Sequence, residues 1–298
     1  MNHPAELTLH KLLSDMRDGT ASMSDSSIEQ IVSDVRDALQ RQFGGEGQKE
    51  FRLRMSNIGR PYCQLWYQKN KPEKGRSLPT TFIINMMLGD IVEAVFKGLL
   101  TEAGVAYDNS EHVTLELEDG KEINGTTDLS IDGAVDDIKS ASPWSYKFKF
   151  NDYESLKKGD AFGYVGQLAG YAKAANKRAG GWWVINKANG QFKYVPAQGL
   201  EIDEEVTKLS NTAQRMDGNE FERCYEPVSE FFRGKPTGNK ILGAVCKFCD
   251  FKEDCWDTLV TRPSLPSSAK EPPEVDYVYI EEKYYDEFVR RTLTRGTK

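Results

Sequence analysis

The sequence predicts a mixed α/β (α+β) chain, and three observations carry the prediction. Apolar residues recur at helical spacing through Ile28, Ile31, Val32, Val35, Leu39 and Phe43, and a second apolar helical stretch runs from about Thr81 to Leu100. From His112 the period changes to two, punctuated by the tight-turn pairs Asp119-Gly120 and Asp132-Gly133. Beyond them comes another helix, over about 158–177. The buried-type strand Trp182-Trp183-Val184-Ile185 follows, then the Asn189-Gly190 turn and a partner strand carrying Phe192 and Tyr194.

The chain has 298 residues, enough for one large domain or for one domain with appendages. It is 39% hydrophobic and 29% charged, and no apolar run approaches membrane-spanning length. The opening MNHPAELTLHKLLSDMRDG lacks the basic-then-apolar layout of a signal peptide, so a cytoplasmic protein with no membrane partner is expected. In that reducing setting the five cysteines point to metal or redox chemistry rather than disulfides. A net charge of −7 argues against a generic nucleic-acid coat. Basic residues nonetheless predominate from Arg41 to Arg76, and again through Lys147, Lys149, Lys157 and Lys158. Such runs suffice to hold a phosphate backbone, and they equally suit a solvated face.

The first fifty residues read as helical. Leu7, Leu9, Leu12, Leu13 and Met16 form a short amphipathic segment, the Ser24–Glu29 stretch offers cap signals, and Gly44-Gly45 ends the second helix. These helices are assigned scaffold or partner surface and no chemistry. Cys63 falls at a loop-to-helix junction after Pro61. In the helix that follows, Gly89 and Glu93 stand four apart on one face. A helical Gly costs about 1 kcal/mol relative to Ala and so marks close approach of another backbone. Glu93 and Lys97 equally form a solvated i,i+4 pair.

Three antiparallel strands are predicted at 112–118, 121–131 and 134–140. Closing the Asp132-Gly133 turn sets Ile131 against Ala134 and, counting outward, Asp128 against Asp137. One face takes Leu129, Ile131, Ala134 and Ile138, with Asp136 as a misfit; the other takes Asp128, Ser130, Val135, Asp137 and Lys139. Like charges directly opposite, their β-carbons about 5 Å apart, are destabilising unless a cation lies between them. Mg²⁺ or Mn²⁺ is the oxygen-liking candidate. A solvated face on which Lys139 neutralises two aspartates satisfies the same residues.

Next, SYKFKF at 145–150 alternates aromatic and basic side chains, a pattern able to stack on bases and touch phosphates and shared by a half-exposed strand. On the helix over 158–177, Gln167 and Tyr171 lie one above the other. Gly163, Gly166 and Gly170 leave one side bare, as for a helix pressed on sheet or substrate. Residues 199–232 read as a polar, acidic helical region. Then Cys246, Cys249 and Cys255 form a C-x₂-C with a third cysteine six residues on, a metal-ligand layout that Phe248, Phe251 and Trp256 would shield. Cys63 or Cys224 can supply the fourth thiolate, and four thiolates suit zinc as well as iron–sulfur. Residues 263–273 read as a Pro/Ser-rich linker. The acidic-aromatic tail beyond reads as helical in part and as a docking peptide for a protein partner.

Taken in order, Gly89…Glu93, Gly125…Asp128, Asp137-Ile138-Lys139 and Gln167…Tyr171 form a series G-x-x-x-E, G-x-x-D, D-x-K and Q-x-x-x-Y. This series resembles the RecB-family exonucleases of the PD-(D/E)XK superfamily. One cysteine before that core and a C-x₂-C-x₅-C after it resembles the iron–sulfur-stapled branch, which includes the CRISPR-associated RecB-like exonucleases and AddB-type nucleases. The resemblance spans about residues 60 to 256. It implies a restriction-endonuclease-like αβββαβ core and a [4Fe–4S] cluster on Cys63, Cys246, Cys249 and Cys255, leaving Cys224 free, with zinc the alternative metal. Many relatives have His where this chain has Glu93; the lambda-exonuclease branch has Glu.

The domain organisation that follows is an N-terminal helical segment (1–50), a stapled nuclease domain (51–260), and a linker with tail (261–298). Asp128, Asp137 and Glu93 would hold Mg²⁺ or Mn²⁺, with the carbonyl of Ile138 a further ligand. Lys139 would orient the attacking water or offset developing charge, and Gln167 and Tyr171 would position the phosphate backbone or the lysine. The expected function is a metal-dependent DNA exonuclease for recombination or repair. It would stand alone, since no GxxxxGK[ST] is present, and would suit a phage or bacterial cytosol. Its rivals are a catalytically idle DNA-binding or adaptor protein on the same fold and a zinc-stapled protein with no nuclease role.

Overall fold

The structure, a computed structural model, describes residues 3–44, 50–77 and 80–286. Contacts divide the chain into two units, Met1–Arg60 with Ser77–Asp217 and Pro61–Arg76 with Gly218–Lys298. The boundaries expected at 50 and 260 do not coincide with that division. The N-terminal helices belong to the body of the first unit, and the 51–260 segment is shared between the two.

The first unit begins with helices α1 (Pro4–Arg17), α2 (Asp25–Phe43) and α3 (Met55–Ile58). Ser24 caps α2, its hydroxyl accepting the Ser27 amide. A further helix, α4 (Tyr62–Asn70), belongs to the second unit, and the chain returns to the first with the long α5 (Thr80–Glu102). Helices α2 and α5 pack together where Gly98 faces Ile31, whose side chain a β-carbon at 98 would strike. Ile28, Val32, Leu39 and Phe43 of α2 remain exposed.

Strands β1 (His112–Glu116) and β2 (Glu122–Thr126) pair antiparallel as a separate two-stranded ladder. The single strand expected over 121–131 is broken at Thr127-Asp128, and β3 (Leu129–Ile131) starts anew in another sheet. The Thr127 amide still donates to the Glu111 carbonyl in register with β1, but the Glu111 amide donates to the Thr127 hydroxyl rather than to its carbonyl, and the ladder ends there. The hairpin to β4 (Ala134–Ala141) has the predicted register, with Ile131 opposite Ala134 and Leu129 opposite Asp136. Asp132 and Gly133 both have positive φ, +50° and +70°, as a type I′ turn requires.

After β4 the SYKFKF segment coils into one π-helical turn, Ser145–Lys149, rather than a strand. The helix expected over 158–177 starts later, as α7 (Tyr164–Ala174); a short α6 (Tyr153–Lys158) precedes it, and a turn through Gly159–Gly163 separates the two. Strand β5 (Arg178–Asn186) then pairs parallel to β4, and β6 (Phe192–Pro196) pairs antiparallel to β5 across the Asn189-Gly190 turn. The sheet order is β3-β4-β5-β6. One apolar cluster gathers Val135, Leu168, Trp182, Val184 and Leu209; another gathers Leu9, Phe96, Leu129, Ile138 and Trp183. Alternation along β4 and β5 feeds both. Helix α8 (Ile202–Arg215) closes the unit. The bare side of α7 meets protein: β-carbons at Gly163, Gly166 and Gly170 would strike or crowd Gly59, Leu209 and Met55.

The second unit carries a four-stranded antiparallel sheet, β7 (Val228–Phe232), β8 (Lys235–Ile241), β9 (Val260–Pro263) and β10 (Glu274–Tyr279), in the order β7-β8-β10-β9. Two expectations change here. The helical region predicted to 232 stops at Arg215, and its far end is instead strand β7, which Arg233-Gly234, with φ of +50° and +77°, turns back onto β8. The supposed tail supplies the inner strand β10. Tyr277 is fully buried there, and its hydroxyl donates to Glu230 Oε1 at 2.9 Å while accepting the Leu265 amide. Residues 287–298 of that tail lie outside the described residues. No described helix is long and apolar enough to cross a membrane.

Candidate active site

Period-two alternation along β4 puts Asp137 and Lys139 on one face and Asp136 and Ile138 on the other. Asp137 is 2% exposed, and Lys139 Nζ donates to its Oδ1 at 2.8 Å and lies 2.7 Å from its Oδ2. Asp128 sits at the break between β2 and β3, where its Oδ2 accepts the Ile138 amide at 2.7 Å. The pairing expected between Asp128 and Asp137 is therefore completed through a side chain, since Asp128 itself lies outside the strand.

Burial pushes the Asp128 carboxyl up to about 8, and the charges of Asp137 and Glu93 push the same way against Lys139 and the Ile138 amide. Burial also raises Asp137, partly offset by Lys139. Burial works against the Lys139 ammonium, but Asp137 and Asp128 more than compensate and hold it above the ordinary lysine range. One lysine thus faces several carboxylates in a desolvated place. That is the electrostatic signature of a site short of positive charge.

Glu93, on α5, shares this field, but its carboxylate is taken by Lys97 at 2.6 Å. Lys97 is buried, contrary to a solvated pair. It also donates to Ser110 Oγ at 2.8 Å, and that hydroxyl donates to the Asp128 carbonyl at 3.2 Å. Glu93 is so linked to Asp128 through two side chains. A β-carbon at Gly89 would lie an ordinary 3.7 Å from Ser140 Oγ, so no close backbone approach demands glycine there. Gly125 is different: its missing β-carbon would fall 2.6 Å from the Tyr171 ring and from Met55. On α7, Gln167 Nε2 reaches the Tyr171 hydroxyl at 3.4 Å, and burial raises that phenol to about 12.

Glu93 and Asp128 open into a cavity of about 430 Å³ that Asp34, Asp37 and Arg41 of α2 also line. These three went unassigned in the sequence, because only the packing of α2 along α5 brings them there. Burial raises the Asp34 carboxyl.

In the second unit, Cys63, Cys246, Cys249 and Cys255 line one hollow. Burial raises Cys246 and Cys249 to about 11, with the neighbouring thiols adding to it, so a bound metal would be needed to hold them as thiolates near neutral pH. Phe251 and Trp256 are buried, whereas Phe248 is 64% exposed and shields nothing. Cys224, which the resemblance leaves free, lies against Cys63, whose amide donates to Cys224 Sγ at 3.1 Å; the contact between their side chains, then burial, raises the Cys63 thiol. Among the described residues, no three His, Cys, Asp or Glu side chains converge closely enough to hold a metal as they stand.

No family model matches the chain, and no curated protein does. Among solved structures it is similar to one titled "Crystal structure of SSO0001", at 14% identity and a TM-score of 0.39, covering 73% of this chain and 91% of that one.

Proposed function

We propose that the chain is a Mg²⁺- or Mn²⁺-dependent deoxyribonuclease, an exonuclease working at DNA ends in recombination or repair, on a PD-(D/E)XK core. One observation carries the reading: buried Asp137 is paired with Lys139, half-buried Asp128 is held beside them by the Ile138 amide, and Glu93 adds to their common field. Hard oxygen donors with unbalanced negative charge suit a divalent cation. Such a cation supplies the missing charge, polarises a scissile phosphate and lowers the pKa of a bound water.

The protein's own groups have separable tasks. The Ile138 amide orients Asp128, and the Ile138 carbonyl is a further donor. Lys139, kept protonated by Asp137, stabilises charge building on the phosphate or holds the attacking water. Tyr171, packed on Gly125, and Gln167 position the backbone of the strand. For the cysteines we propose a structural [4Fe–4S] cluster on Cys63, Cys246, Cys249 and Cys255, with zinc as the alternative on the same thiols.

A time course on 5′- and 3′-labelled linear DNA and on closed circles tests the activity. Cleavage should need Mg²⁺ or Mn²⁺, stop with EDTA, and begin at ends. Asp128→Ala, Asp137→Ala and Lys139→Ala should each lose nearly all of it, and a well-folded Asp137→Ala protein with full activity overturns the assignment. The tie between Glu93 and Lys97 favours one rival, an idle DNA-binding or adaptor protein. That rival would bind DNA and cut none with either metal.

A further inference from the structure

Of the two aromatic side chains in the π-helical turn after β4, Tyr146 packs against the core and Phe148 points outward. Trp144, just before it, is 61% exposed and Phe148 is 52% exposed, their ring centroids 5.7 Å apart. Phe162, 44% exposed, stacks on Tyr164 at 5.6 Å with the planes 16° apart. Lysines interleave with these rings. Lys147 Nζ lies 5.3 Å from the Phe148 centroid, and Lys149 Nζ lies 4.6 Å from Phe162 and 4.5 Å from Tyr164. Tyr164 in turn lies 5.0 Å from Lys139 Nζ. Ring and ammonium thus alternate from exposed Phe162 through Lys149 and Tyr164 to the lysine beside Asp137, and Phe148 with Trp144 stands next to Lys149 along the chain.

Single exposed aromatics are ordinary on protein surfaces. Three exposed rings in neighbouring segments, interleaved with lysines and one of them connected to a buried acidic site, are not explained by that. A duplex would offer this surface only its sugar–phosphate edge, because its bases are already stacked. An unpaired strand offers a π-face and a phosphate at each nucleotide, matching ring and ammonium in turn. π-Helical turns also recur at functional sites. We infer that residues 144–149 with Phe162 and Tyr164 form the platform for a single-stranded DNA segment, which the site receives unpaired. This rests on the nuclease reading for its substrate, DNA, but is measured without cleavage.

Trp144 gives a direct probe, because Trp66, Trp182, Trp183 and Trp256 are all buried. The full chain is titrated in EDTA with a fluorescein-labelled single strand and with the blunt duplex of the same sequence. An unlabelled oligothymidylate is used for tryptophan fluorescence. The single strand should bind about tenfold or more tightly than the duplex and quench the emission. Trp144→Ala, Phe148→Ala and Phe162→Ala should each weaken it by about tenfold, whereas Phe231→Ala, an exposed ring on β7, should not. Equal or tighter duplex binding overturns the inference, as does single-strand binding that the three substitutions leave untouched. So does a change confined to self-association in sedimentation, which would make the patch a protein contact. Quenching and tight single-strand binding by a protein that cuts nothing with Mg²⁺ or Mn²⁺ would sink the nuclease reading and leave this platform standing.

Discussion

The Tyr194 hydroxyl donates to Asp136 Oδ1 at 2.8 Å, on the face of β4 opposite Asp137. The same oxygen accepts the Gly181 amide at 2.9 Å, and the absence of a side chain at Gly180 leaves room for the carboxylate. Adjacent aspartates on one strand therefore have unrelated tasks. Asp137 faces Lys139, and Asp136 ties β4 to β5 and β6 beneath the apolar cluster.

Asp136→Ala looks from the sequence like a harmless control for the site, since its side chain points to the other face. The buried bonds predict otherwise. Removing the carboxylate leaves a buried amide and a hydroxyl without their acceptor, a cost of about 1–3 kcal/mol. Tyr194→Phe, which removes one donor only, should cost about 1 kcal/mol. Urea unfolding measures both, and an Asp136→Ala midpoint equal to the parent's would contradict the role given to the bond.

Glu93 and Lys97 give a second prediction. Were the pair solvated, either substitution would be silent within about 0.5 kcal/mol. Because Lys97 is buried and donates to Ser110, Glu93→Gln should instead destabilise by about 1–3 kcal/mol. If Glu93 also serves the metal, that variant should need more Mg²⁺ or Mn²⁺ for half-maximal cleavage. A stability loss with an unchanged metal requirement would leave Glu93 as the partner of Lys97 alone.

Local signals made part of this legible. The helical stripes of α2 and α5, the Asp132-Gly133 turn with its register, and the β5–β6 hairpin depend on residues close in sequence, so periodicity and turn chemistry reach them. The rest depends on distant partners. The Thr127 hydroxyl ends the β1–β2 ladder by taking the Glu111 amide, and β10 becomes an inner strand because β8 and β9 flank it. Arg41, Asp34 and Asp37 join the cavity only through helix packing. In the site, alternation around one turn placed Asp137 and Lys139 together, whereas the Ile138 amide's bond to Asp128 and the burial of Lys97 needed three dimensions.

Asp276 supplies a pH prediction. Burial alone would raise its carboxyl, but hydrogen bonds from Lys252 at 2.7 Å and Thr261 at 2.6 Å outweigh it and hold the group below the usual aspartate range. A depressed carboxyl contributes stability that is complete above its unfolded value, about 3.9, and fades as pH falls through the folded one. Asp276→Asn should therefore cost most near pH 7, and the gap between parent and variant should narrow from about pH 5 downward. Taking the difference in unfolding midpoint cancels acid effects common to both proteins. A gap constant from pH 7 to pH 3 would exclude a titrating Asp276 as its source.

The thiols of the second unit give the last prediction, and the contact of Cys63 with Cys224 sharpens it. The family resemblance alone sets Cys224 outside the ligand set, yet five thiols gather where a cubane or a zinc ion takes four. Anaerobically purified protein should be brown, with broad visible absorption and about four irons per chain. Cys246→Ser, Cys249→Ser and Cys255→Ser should each bleach the colour and destabilise the protein, because metal binding is linked to folding. The decisive comparison is Cys63→Ser against Cys224→Ser. Bleaching by the first alone keeps the expected four ligands, and bleaching by the second alone transfers the fourth place to Cys224. If each single variant keeps its iron and only the double variant loses it, the two thiols substitute for one another. A colourless anaerobic preparation with one zinc per chain would replace the cluster and keep the same comparison.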